Sequence, residues 1–154
     1  MEVFFSFLDN PIFRATFFSW FLCQFIKSVI EIFRNRPNTA KDIILSLIWT
    51  TGGMPSSHSA VVSALATSIG FEIGMSSPLF IVTSFYGFIT VRDALGVRRA
   101  AGLQARTINQ IIAELSLKHG IKIKPVKEIH GHKSSEVIVG ILIGFFIGIA
   151  FCNL

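Results

Sequence analysis

The sequence predicts an all-α, integral-membrane helix bundle with about four spanning helices, an amphipathic helix and a short re-entrant or interfacial helix. Three observations carry this. Hydrophobic residues make up 51% of the 154, with 16 Phe and a mean hydropathy of +0.63, more apolar surface than a soluble domain of this length hides. Charged residues are only 15%, and they fall in clusters rather than evenly. The apolar stretches are of helical length, and a helix satisfies its own backbone in lipid where an isolated strand does not. The length is that of one domain, residues 1–154.

The first apolar segment runs from about Ile12 to Phe33, interrupted by Arg14, Lys27 and Glu31. The second starts after Pro55 and reaches about Gly74; the third runs from Pro78 to about Val91. The last runs from Val137 to Leu154 with glycines at 140, 144 and 148, a spacing that lets membrane helices approach closely. Several segments are short against the roughly 20 residues that cross a hydrocarbon core. Polar ends buried in the bundle, or local thinning of the bilayer, reconcile the difference. Ile43 to Trp49 is too short to span and is expected to be the re-entrant or interfacial turn.

Between the third and fourth segments the pattern changes. Leu103, Ile108, Ile111, Ile112 and Leu115 form an apolar stripe, with Gln104, Arg106, Asn109, Gln110 and Glu114 elsewhere. This predicts an amphipathic helix that ends near Lys118 with Gly120 as its stop, packed on the bundle or lying at the interface. Cys23 and Cys152 sit in apolar stretches and read as small packing residues, not as a disulfide pair or a metal site. Glu2 and Asp9, without a basic leader, argue against a cleavable signal peptide.

The net charge of +5 and pI near 9.6 raise nucleic acid as a partner, but so apolar a chain excludes it; anionic headgroups or phosphate substrates fit better. In an antiparallel four-span arrangement, the ends of segments one and three share a face with the starts of two and four. Lys27, Arg34, Arg36, Lys41, Arg92, Arg98, Arg99, Arg106, Lys118, Lys122, Lys124, Lys127 and Lys133 fall on that face, and Arg14 alone on the other. The positive-inside bias makes that face cytoplasmic. Setting aside Lys27, Arg34, Arg98, Arg99 and Lys127 as candidate phosphate ligands still leaves eight against one.

The chemistry is concentrated on the same face. In Gly52-Gly53-Met54-Pro55-Ser56-Ser57-His58-Ser59-Ala60, glycines and a proline stop one element and serines open a helix. A helix N-terminus stabilises an anion, and His58 in that mouth is able to donate a proton to a phosphate oxygen or leaving group. The plain alternative is a helix cap with an incidental histidine. Gly131-His132-Lys133-Ser134-Ser135-Glu136 opens the last helix in a matching way. His132 and Glu136 are four apart, the spacing of one helical turn, so that the carboxylate would orient the imidazole and leave its other nitrogen to attack phosphorus. The alternative for Glu136 is a favourable charge at a helix N-terminus. Lys27, Glu31 and Arg34 share a face at i, i+4 and i+7, either as a salt-bridged stripe or as a clamp on phosphate oxygens with Glu31 orienting it. Asp93, bordering an apolar run, needs a cation such as Arg98, Arg99 or His58. Paired Arg98 and Arg99 read equally well as interfacial anchors. His119 and His130 are expected in exposed loops.

Pro55-Ser56-Ser57-His58-Ser59-Ala60, preceded by Lys27-x6-Arg34 and followed by His132-x3-Glu136, resembles the type 2 phosphatidic acid phosphatase superfamily. GGMPSSHSA, RDALGVRRAAG and GHKSSEVIVG, in that order, resemble its divergent branch, the YuiD-like proteins of domain of unknown function 212. The resemblance covers nearly the whole chain. It implies an all-helical fold and hydrolysis of a phosphate monoester or a pyrophosphate through a phosphohistidine, with no metal and no other cofactor. By motif, His132 is the implied nucleophile, Glu136 its orienting carboxylate and His58 the general acid. Lys27, Arg34 and Ser57 are the implied phosphate ligands. The superfamily has an Arg six positions before the nucleophilic His and an Asp four after it; here those places hold Val126 and Glu136. Lys127, Arg98 and Arg99 are the candidates for the missing cation.

The expected substrate is a lipid phosphate made inside the cell, such as phosphatidylglycerophosphate or phosphatidate. The expected location is a bacterial inner membrane with the site facing the cytoplasm, a plastid membrane being the alternative. A phosphotransferase with the same residues, or a non-catalytic phospholipid-binding membrane protein, are the rival readings.

Overall fold

The computed structural model describes residues 1–35, 53–128, 131 and 133–153. Among them every regular element is helical: α1 (Glu2–Asp9), α2 (Pro11–Asn35), α3 (Ser57–Glu72), α4 (Pro78–Leu95), α5 (Val97–His119) and α6 (Ser134–Cys152). The expected all-α class is what the described residues adopt. The turn expected over 43–49 lies outside them, as do His130 and His132.

Local sequence explains the boundaries. Asn10 separates α1 from α2, its Oδ1 accepting from the N–H groups of Ile12 (2.9 Å) and Phe13 (3.3 Å), and Pro11 starts α2 where no donor is needed. Phe7 packs on Phe13 with ring centroids 4.4 Å apart, folding the short α1 against the root of α2. The α3–α4 turn passes through Gly74 at φ +100°, a left-handed conformation open to glycine. Ser77 then caps α4, its Oγ accepting from Phe80 N–H at 3.2 Å while Pro78 takes the first position.

The third apolar segment was expected to stop near Val91, yet α4 continues to Leu95 because Arg92 and Asp93 are tolerated at an exposed helix end. The helical path carries on across Gly96, which accepts from Ala100 N–H (2.9 Å) and donates to Arg92 O (2.8 Å). Gly96 departs from helical geometry at φ −102°, ψ −80°. The amphipathic helix therefore begins at Val97 and closes at His119, which belongs to the last turn rather than to a loop. Gly120, at φ +66°, ends it in the left-handed C-terminal position.

Residues 120–128 carry no helix and return along α5. Asn109 holds them there: its Oδ1 accepts from Val126 N–H at 2.8 Å, and its Nδ2 donates to Val126 O and to Glu128 Oε1, each at 2.9 Å. Asn109→Ala removes all three bonds. Amide exchange at Val126 is expected to quicken at least ~10-fold, the equivalent of about 1.4 kcal/mol of local opening; unchanged exchange would mean the segment is held by something else.

The packing is turned inside out relative to a water-soluble domain. Among the described residues the largest fully buried side chain is Val137, and beside Pro55, Val62 and Ile69 the interior holds mostly small residues, among them Ala15, Cys23, Ala60, Ala64 and serines 19, 28, 56, 59 and 68. The large residues point outward: Phe17, Phe18, Phe21 and Phe25 on α2, Phe85, Phe88 and Ile89 on α4, and Ile138, Leu142 and Phe146 on α6 are all exposed. Water would expel such a surface, whereas lipid is as apolar as the side chains and leaves close packing of small residues as the cohesive force. Among the described residues, two helices are long and apolar enough to cross a membrane: the continuous path Pro78–His119, through an 18-residue window of mean hydropathy 1.3, and α6, at 2.3. Expected spans one and two are outside that pair, the second with only 16 residues in α3.

Four helices pack together, and their directions bring one end of each to a common place. Gly140 abuts Ser56 O, Gly144 abuts Ala60 O, and Gly148 faces Ala64 O and Thr67, so α3 and α6 run parallel in backbone contact. The start of α3 meets Lys27 late in α2, and Phe151 at the end of α6 stacks on Phe18 early in α2, at 5.1 Å. α2 is thus antiparallel to both. Gly70 facing Phe80 and Gly87 facing Val62 set α4 antiparallel to α3, which places Asp93 at the end where α3 and α6 begin.

Candidate phosphate site at the helix ends

The start of α3 is built by its punctuation. Gly53 takes φ +78°, the Met54–Pro55 peptide is cis, and Ser56 is the N-cap. Ser56 Oγ accepts from Ser59 N–H (3.4 Å) and from Ser59 Oγ–H (2.9 Å), and both serines are fully buried. Ser56 N–H donates to Glu136 O at 2.9 Å, which ties the first turn of α3 to the first turn of α6. This backbone bond requires the helices to touch, and glycine at 140, facing Ser56 O and Ser59 Cβ, is what allows it.

Into this junction α2 sends Lys27. It is 4% exposed, and its Nζ donates to Ser57 Oγ, 5% exposed, at 3.2 Å. Glu136 lies within electrostatic reach of the same ammonium group. A buried lysine whose direct partner is a neutral hydroxyl keeps donors available to an anion, and the first turn of α3 adds the positive end of its dipole. His58 follows Ser57 in that turn and is exposed. Lys27, Ser57 and Glu136, from three helices, are therefore brought together, with His58 adjacent in sequence.

Other candidates fall as follows. Glu31 and Arg34 lie on α2 one and two turns beyond Lys27. His132 is outside the described residues, but α6 begins at Ser134 with Lys133 as its N-cap, so His132 precedes the helix. The i, i+4 reading of His132 and Glu136 as one helical turn is corrected accordingly. Glu136 occupies the third helical position, where its Oε2 accepts from Lys133 N–H at 3.1 Å, the carboxylate half of a capping box. That arrangement holds Glu136 at the mouth of α6 beside the chain that carries His132.

Asp93 finds its cation in Arg98, Nε to Oδ2 2.7 Å, across the α4–α5 junction. Arg99 contributes its backbone: Gly131 packs against its Cα and N so closely that no side chain fits at 131. The junction therefore buttresses the residue that precedes His132. Lys127 is exposed on the returning segment, between two residues bound to Asn109.

Sequence reasoning missed the polar lining below the site. Ser19 Oγ, Gln24 Oε1 and Ser28 Oγ are buried without a hydrogen-bond partner among the described residues. Gln24, Lys27, Ser28 and Glu31 follow i, i+3, i+4, i+7, the signal that the charged stripe alone did not use. An apolar cleft of about 310 Å³ opens between α3, α4 and α6, lined by Val62, Ala66, Gly87, Phe88, Val91 and Ile141. It starts one to two turns along α3 from Ser57.

With this geometry in place, the comparisons with known proteins are informative. The family model of the divergent PAP2 family, domain of unknown function 212, matches residues 8–147. A protein of Bacillus subtilis (strain 168), described as the uncharacterized membrane protein YuiD, is 42% identical over 113 residues, which are 66% of this chain and 72% of the relative. No solved structure matches. The match spans the helices that carry Lys27, Ser57 and Glu136 as well as the outward apolar surface of a membrane protein, and the chain belongs to the divergent PAP2 family.

Proposed function

We propose that the chain is an integral-membrane phosphatase that removes the phosphate monoester from a lipid. The observation that carries this reading is the buried Lys27–Ser57 pair at the common end of α2, α3 and α6. A buried ammonium is costly unless an anion or a polar network repays it, and here the dipole of α3 converges on the same place. The apolar cleft beside α3 favours a lipid over a soluble phosphate ester, since it offers an acyl chain a path alongside the headgroup site.

In this reading His132 attacks phosphorus in line, the ester P–O bond breaks, and His58 protonates the departing alcohol oxygen. Water then gives a proton back to His58 and attacks the phosphohistidine, breaking the P–N bond and releasing inorganic phosphate. Lys27, Ser57 and Arg34 hold the non-bridging oxygens, with Arg98, Arg99 or Lys127 as the further cation and Asp93 and Glu31 as supporting carboxylates. The charge distribution supports a cytoplasmic site in a bacterial inner membrane, with all four packed helices crossing. The headgroups this suits are phosphatidylglycerophosphate and phosphatidate.

Phosphate release from a panel of lipid phosphates tests the reading. His132→Ala is expected to lose at least ~10³-fold of the rate, and an alkali-stable, acid-labile phosphoryl label on the parent protein should be absent from the variant. Unchanged release in His132→Ala would sink the nucleophile assignment. No turnover by the parent on any lipid phosphate would favour the phospholipid-binding reading, and transfer of label to an added alcohol the phosphotransferase. Orientation is checked separately: a thiol at position 122 (Lys122→Cys) should react with an impermeant reagent only from the cytoplasmic side, and external labelling would reverse the topology.

A further inference from the structure

α5 and residues 120–128 form an arm whose helix, among the described helices, packs on α4 alone. One face of α5 is covered: Ala105 is buried and Asn109 binds the returning segment. The neighbouring face is open. Leu103 is 59% exposed and Ile111 54%, with Ile108 also exposed and Leu115 half-buried at the i, i+3, i+7 spacing of a continuous stripe. The returning segment alternates apolar and basic residues, Ile121-Lys122-Ile123-Lys124-Pro125-Val126-Lys127, and its lysines are exposed.

Charge decides what covers this face. Residues 97–128 hold seven lysines and arginines against two glutamates. A second copy would bring the same cationic surface and be repelled, and a polyanion in solution would leave the isoleucines in water. A bilayer with anionic lipids supplies an apolar layer and negative headgroups together. It is also within reach, because α5 begins one residue beyond the membrane-length α4 and the helical path bends away from ideal geometry at Gly96.

We propose that the arm seats on the anionic headgroup layer of the membrane around the site. Ile108, Ile111 and Leu115 enter the acyl boundary with Leu103 at the edge, and Lys118, Lys122 and Lys124 meet lipid phosphates. The docking stands apart from any catalytic step and places a lipid-collecting surface beside the helix ends.

The test uses the full chain in nanodiscs, with Cys23 and Cys152 replaced by alanine and an environment-sensitive probe attached at Ile111→Cys or, on the opposite face of α5, at Ala113→Cys. The discs contain phosphatidylcholine alone or phosphatidylcholine with phosphatidylglycerol, and a shallow nitroxide lipid serves as quencher. Quenching at 111 is expected to exceed that at 113 by about two- to threefold in the anionic discs. The difference should shrink in phosphatidylcholine alone, at high salt, and in Lys122→Glu/Lys124→Glu. Equal quenching at the two positions, or none at 111, would overturn the proposal. Protection at 111 that comes with energy transfer between labelled copies would assign the face to a second copy instead.

Discussion

Lys27→Met is expected to abolish phosphate release while leaving the bundle as stable as before. The side chain is 4% exposed and donates to Ser57 Oγ at 3.2 Å, so the substitution exchanges a buried cation for an apolar chain of similar length. A buried charge adds little to stability and is often replaced by an apolar residue without loss. Glu136 is not stranded by the change, because its carboxylate accepts from Lys133 N–H at the start of α6. Ser57 loses a donor but keeps a hydroxyl that donates as well as accepts. Folding stability should therefore change by only about 1 kcal/mol.

The phosphoryl group, by contrast, would lose the cation nearest the turn that binds it, and one such interaction contributes about 10²–10³ in rate. Thermal unfolding in detergent and phosphate release on the same preparation separate the two effects. Loss of stability together with activity would make Lys27 a structural residue. Retention of both would remove it from the site.

The two ends of that interaction show what was legible. Ser56 as a cap could be read from Gly-Gly-Met-Pro-Ser-Ser, because local punctuation determines where a helix starts. Lys27 could be read as a charge in an apolar segment that required a polar surrounding. Their meeting across 30 residues was not local information; the alternation of segment ends put them on one face, and the resemblance of the spaced motifs paired them. His132 and Glu136 show the opposite failure. Their spacing suits a helix, but Ser134 starts α6, so a rule valid inside a helix was applied across its boundary. Asn109 was visible only as a polar position on α5, since its partners Val126 and Glu128 lie on a segment without periodicity. α1 escaped because eight phenylalanine-rich residues are too few for a helical period to stand out.

The glycines of α6 were legible as a motif, and the structure turns the motif into a graded expectation. At Gly144 an added methyl would overlap Ala60 O and lie 2.9 Å from Ala60 C and Ala64 N, all backbone atoms of α3. Backbone in a packed helix does not yield, so Gly144→Ala must separate the helices and should destabilise by about 3 kcal/mol or more. Gly140→Ala meets Ser56 O and should cost a similar amount. It also strains the Ser56 N–H···O Glu136 bond, so activity should fall further than stability alone explains. At Gly148 the nearest atoms are Thr67 Cβ and Cγ2 at 2.8 and 2.9 Å, with Ala64 O at 3.2 Å; Cβ moves only with its backbone, but the overlap is smaller than at 144, and the cost should drop to about 2 kcal/mol. Gly87→Ala, with Val62 at an ordinary 3.7 Å, should be neutral to within about 0.5 kcal/mol. Unfolding of the four variants in one detergent gives the ranking. Equal losses at 144 and 87 would mean that helix propensity, not the approach of α6 to α3, governs these positions, and the backbone contact that joins the first turns of α3 and α6 would lose its support.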